Sequence, residues 1–192
     1  MLEQKECVIP IHRPNNTELL FFFACGVIMS VPITLIFAAL ADPLLVGLEE
    51  SVATIISVAI FPPFIEEFSK IFPLYYRHGE TQRSIMQLAL AVGLGFGFVE
   101  MITYGVIFGV GILSFRVLGL LFHPASTAIA AYGIATKRPL SYYALAVALH
   151  FLNNFLAITD PLPIISLSIL IVGVTVWIAL SLYRKTKETF TT

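Results

Sequence analysis

Four groups of polar residues interrupt otherwise apolar stretches of this 192-residue chain. Glu66, Glu67 and Lys70 lie in Phe61-Pro-Pro-Phe-Ile-Glu-Glu-Phe-Ser-Lys70, and Glu100 ends Phe96-Gly-Phe-Val-Glu100. His123 precedes Pro124 with Thr127 four positions on, and His150 is followed by Asn153 and Asn154. A charge at the centre of a membrane span costs roughly 2.5–3.5 kcal/mol on insertion scales, so such residues mark a functional site by default. Carboxylates and imidazoles in a partly dry cleft suit two routes to amide hydrolysis. In one, Glu and His hold zinc, which keeps a position open for water and lowers that water's pKa to about 7. In the other, a glutamate takes the proton from water directly while His and Asn stabilise the oxyanion. No HExxH or GxSxG accompanies these residues, so no soluble-protease signature is present.

Helical spacing sets what each group can reach. Glu66 and Lys70 share a face at i, i+4, and Glu67 points about 100° away, yet Lys70 can reach either carboxylate. Pro62 and Pro63 remove backbone donors and predict a kink, which would place both glutamates in the first turn of a new half-helix. Glu100 has no basic neighbour in its own helix, so its partner must be another span, a metal or a proton. His123, biased away from helical geometry by Pro124, is expected to cap a half-helix, with Thr127 on the same face. Asn154 shares the face of His150 and Asn153 does not, which makes Asn154 the candidate. The competing structural readings are a bundle-holding ion pair at Glu66/Lys70, a neutral hydrogen-bonded Glu100, a core histidine, and an asparagine bonded helix to helix.

The elements that must position these groups are membrane spans. The chain is 58% hydrophobic and 12% charged, where a soluble domain carries about 25% charged residues. Six apolar segments near the ~20 residues a bilayer requires run over about 19–41, 51–76, 84–109, 116–136, 141–159 and 163–183. The short connections predict a single all-α, polytopic domain over 1–192, a bundle of about six transmembrane helices. The first segment is expected to be a retained span, being longer than a signal-peptide core. Lys5, Arg13, Arg77, Arg83, Lys137, Arg138, Arg184, Lys185 and Lys187 fall on one side, and Arg116 on the other with Asp42, Glu49, Glu50 and Asp160. That asymmetry predicts both termini in the cytoplasm, and Arg116 and Asp160 read as interface residues. At ~1.5 Å per residue, Glu66 and His150 lie roughly 15 Å deep, His123 and Asn154 about 20 Å, and Glu100 about 24 Å. The five can therefore meet in one layer.

The remaining features narrow the function class. A net charge of −1 argues against a nucleic-acid partner. Cys7 in the polar N-terminal stretch and Cys25 in the first span are not expected to pair. Gly93, Gly95 and Gly97 are read as close helix packing rather than as room for a substrate.

In this order, Glu66-Glu67-xx-Lys70, Phe96-xxx-Glu100, His123-xxx-Thr127 and His150-xxx-Asn154 resemble the PrsW family of intramembrane proteases, over residues ~60–155. That family is distantly related to the CAAX-prenyl endopeptidases and Abi proteins. The resemblance implies cleavage in or near the membrane of a membrane-anchored protein or peptide, in a prokaryotic cell membrane. It also implies Glu66 and Glu67 as catalytic glutamates, with Glu100, His123, His150 and Asn154 beside them and Lys70 and Thr127 in support. Glu100, His123 and His150 would be the ligands if a zinc ion takes part; a metal-free glutamate mechanism stays open, as does the choice of base between Glu66 and Glu67. Lys70 and Glu100 depart from the CAAX branch, which puts prenylated substrates in doubt. Two other classes compete: a proton- or cation-coupled transporter or channel using the same carboxylates, and a scaffold with a degenerate site.

Overall fold

A computed structural model describes residues 12–76, 81–112, 116–159 and 163–188. Lys5, Cys7, Arg77 and Asp160 lie outside the described residues. Among these residues six long helices follow one another: α1 Asn16–Leu45, α2 Glu50–Tyr76, α3 Gln82–Phe108, α4 Gly119–Ala135, α5 Pro139–Thr159 and α6 Pro163–Lys185. No strand occurs among the described residues, so the fold is an all-α membrane bundle. Among the described residues five helices are long and apolar enough to cross a membrane, and α4 falls short of that length. It has 17 residues and is the central helix. It packs on α3, α5 and α6, and its buried Ala125, Ser126, Ala128, Ala130, Ala131 and Gly133 let those neighbours come close.

The α3–α4 contact depends on missing side chains. A Cβ on Gly93 would lie 2.5 Å from the His123 carbonyl oxygen, and one on Gly97 2.9 Å from that of Gly119. Close packing accounts for both glycines. Gly26 of α1 and Gly95 of α3 allow a similar crossing, where either Cβ would sit 2.0 Å from a carbonyl oxygen of the other helix.

The segments around Arg13, Arg83 and Glu188 meet at one end of the bundle. Arg83, at the start of α3, donates to the Thr186 carbonyl at 3.0 Å, and Glu188 lies 3.8 Å from Arg13 and 4.0 Å from Arg83. At that end α3 is capped by Thr81, whose hydroxyl accepts from Ser84 N–H, and α1 by an Asn15–Glu18 capping box.

Helix α2 is not broken at Pro62-Pro63, so Glu66 and Glu67 do not open a new half-helix. Instead α2 runs on through a π-helical stretch, Ile55–Ile60, in which Phe61 N–H bonds back five residues to the Ile56 carbonyl. The residues four and five after Val58 are these two prolines, so neither helical pattern offers its carbonyl a donor. Asn154 Nδ2 fills the gap, donating to Val58 O at 3.0 Å. Nor does His123 cap a half-helix. It lies inside α4, with Pro124 in the second turn, where the proline leaves the Leu120 carbonyl without its helical donor.

Candidate active site

The two adjacent glutamates take different surroundings because they face different ways from one helix. Glu67 is wholly buried, and its Oε1 accepts from Lys70 Nζ at 2.5 Å, His150 Nδ1 at 2.8 Å and Ser126 Oγ at 3.1 Å. Glu66 is 6% exposed and its Oε2 is buried without a hydrogen-bond partner, 3.7 Å from His150 Nε2. Lys70, equally able by spacing to pair with either, pairs with Glu67.

These contacts fix the histidine tautomers. Lys70 also donates to Ser126 Oγ at 3.1 Å and meets His123 Nδ1 at 3.1 Å. An ammonium can only donate, so Nδ1 carries the lone pair and the His123 proton is on Nε2, donated to Glu100 Oε2 at 2.7 Å. His150 is the reverse. Its Nδ1–H donates to Glu67, which leaves the Nε2 lone pair aimed towards Glu66. The two imidazoles stand edge to face, with ring centroids 5.4 Å apart, and Phe122 packs on both. Glu100 finds its second partner outside its own helix, as its lone position in α3 requires. Arg116 lies 3.6 Å from its Oε1, with the guanidinium 3.3 Å above the Tyr104 ring.

A cavity of about 670 Å³ opens beside Glu66, with Glu100, Arg116, His123, His150 and both asparagines in its wall. Among the candidates, Glu66, Glu67, Glu100, Lys70, His123 and His150 form one connected cluster. Thr127 stands apart, its hydroxyl donating to the His123 carbonyl at 2.7 Å, and Asn154 reaches the cavity with its amide already given to Val58. Ser126 and Arg116 join the site although spacing alone does not single out the first and suggests an interface for the second. The signal for Ser126 was its place one turn after His123 in an alanine-rich helix. For Arg116 it was the isolation of a lone cation on the acidic side.

Glu66, His123 and His150 can bring one ligand atom each to within 4.8 Å of the others. This group could hold a metal ion, with Glu66 in place of the expected Glu100. With every carboxylate ionised, Glu66, Glu67 and Glu100 face Lys70 and Arg116, an excess of one negative charge. That excess favours a cation.

A family model described as PrsW family intramembrane metalloprotease matches residues 15–182 and so takes in all four polar groups. No curated protein and no solved structure gives a significant match. Membrane proteolysis is the activity of that family, and an apolar helical bundle enclosing buried glutamates and histidines is consistent with it. The chain belongs to the PrsW family of intramembrane metalloproteases.

Proposed function

We propose that this protein hydrolyses a peptide bond of a membrane-anchored protein or peptide, with Glu66 and His150 serving the attacking water. The observation that carries this reading is the unpartnered Glu66 Oε2 in the cavity wall, facing the free lone pair of His150 Nε2 at 3.7 Å. Two acceptors that close can orient one water between them. Glu66 takes a proton as the water oxygen attacks the carbonyl carbon, and returns it to the leaving amine as the C–N bond breaks. Glu67 holds His150 in the tautomer this requires, and Lys70 neutralises Glu67.

A divalent metal fits the same residues, because Glu66 Oε2 is an unused buried ligand atom and His150 already has a carboxylate behind its Nδ1. Glu66, His123 and His150 would hold it; His123 would release Glu100, which keeps Arg116 as its partner, and carry its ring proton on Nδ1 in place of the contact with Lys70. A zinc-type ion bound there would polarise the substrate carbonyl and lower the pKa of its water.

Purified protein in liposomes should cut a single-span test substrate, and Glu66→Gln and His150→Ala should each reduce the rate at least ~10²-fold, the usual scale for losing a general base. Cutting at the wild-type rate by both variants would remove these residues from the mechanism.

A further inference from the structure

The cavity beside Glu66 extends past the polar cluster. It runs along Ser57 and Asn153 to Thr34 and Ala38 of α1 and Ser168 of α6. The first half of α1 is firmly seated, with Phe22 buried and Gly26 against the Val92 backbone. The outer half is not. Every residue from Leu35 to Leu40 is exposed, and six successive residues at 100° spacing cover all faces of a helix. Thr34, Ala38, Ala41 and Leu45 form its inner stripe, and this stripe borders hollows instead of being packed under neighbours. Helix α1 packs on α2 and α3, whereas α6 packs on α4 and α5, so the cavity lies between helices anchored on opposite flanks.

The same wall carries hydrogen-bonding groups with capacity to spare. Ser168 Oγ is buried without a partner, and Asn153 reaches its neighbour Asn154 at a long 3.5 Å. Glu66 Oε2, also buried without a partner, lines the same cavity. Such groups are costly unless something pairs with them, and irregular backbone is tolerated at membrane depth only inside protein or a wet cavity.

We infer that the space between the outer half of α1 and helices α5 and α6 is a binding groove for an unwound stretch of membrane-anchored polypeptide, which slides in sideways from the lipid past Ala38 and is held through its backbone by Asn153 and Ser168. This rests on the hydrolytic reading and specifies the form and route of its substrate. In an intact helix each carbonyl is bonded to the N–H four residues on and screened by side chains, so water attack needs local unwinding. The backbone groups freed by unwinding would each cost several kcal/mol in hydrocarbon. Asn153 offers both donor and acceptor, and Ser168 the same, which matches peptide N–H and C=O.

Two measurements on the full chain test this. In a Cys7→Ser/Cys25→Ser/Glu66→Gln background, Ala38→Cys should form a disulfide with cysteines placed around the cut site of a single-span substrate. Trp177→Cys, on the lipid-facing side of α6, should not. Equal cross-linking at both positions, or none at Ala38→Cys, overturns the groove. In the cutting enzyme, Ser168→Ala and Asn153→Ala should each raise KM about fivefold, the size of one lost hydrogen bond, with kcat little changed. A wild-type KM in both variants overturns the backbone contacts. The cross-link needs no turnover, so a groove that captures substrate in a protein that never cuts would separate failure of the hydrolytic reading from failure of this one.

Discussion

The buried Lys70–Glu67 pair gives the most quantitative prediction. Both side chains are wholly inaccessible, at an Nζ–Oε1 distance of 2.5 Å. Lys70→Met removes the cation and its contacts to Glu67, His123 and Ser126, and leaves the Glu67 carboxylate with two donors but no opposite charge. Glu67→Gln does the converse and strands the ammonium. Breaking a buried pair from one side costs about 3–5 kcal/mol, mostly for the uncompensated charge that remains. The double variant contains no such charge, so it should lose less than the two single losses combined, by about 3 kcal/mol. Denaturant unfolding in detergent, followed through Trp177, the sole tryptophan, measures all four corners of the cycle. Losses that add to within about 0.5 kcal/mol would refute the ion pair as an energetic unit.

Three further predictions follow from the packing and the site. Gly93→Ala should destabilise the bundle by at least ~1 kcal/mol because its Cβ would meet the backbone of α4 at 2.5 Å, whereas Gly173→Ala, with open space around it, should be neutral or stabilise by up to ~1 kcal/mol; thermal unfolding of the two compares them directly. Asn154→Leu should cost about 1–2 kcal/mol by stranding the Val58 carbonyl, and Asn153→Leu less than half as much, both read from the same denaturant unfolding. Elemental analysis of the purified protein should find a divalent metal that is lost on chelation together with cutting, and its content should fall in His123→Ala, His150→Ala and Glu66→Gln but persist in Thr127→Ala.

The sequence announced the bundle because apolar runs of bilayer length leave few alternatives, and it announced the family because four spaced polar groups survive in those runs. Residue depth puts Glu66, Glu100, His123, His150 and Asn154 in one layer, since helix rise converts sequence position into distance; the first four join the cluster, and Asn154 reaches only the cavity wall. Three details were not. Pro62 and Pro63 pointed to a break, but the π-helical stretch of α2 and the Asn154 amide satisfy the orphaned carbonyl, a tertiary solution that no local rule contains. Which glutamate Lys70 takes depends on Ser126 and His150 gathering around Glu67 from α4 and α5, and helical spacing on α2 permits both choices. Arg116 looked like an interface residue because charge at a span end has an easy explanation, and only the fold brings it to Glu100.

The most direct test of the account is cleavage of a single-span substrate by the reconstituted protein in isotopically labelled water, with mass spectrometry of the new C-terminus. Wild-type protein should place one labelled oxygen in that carboxylate, and Glu66→Gln should yield almost no product. Cleavage by Glu66→Gln at the wild-type rate, or product without label, would contradict hydrolysis by a water that Glu66 serves.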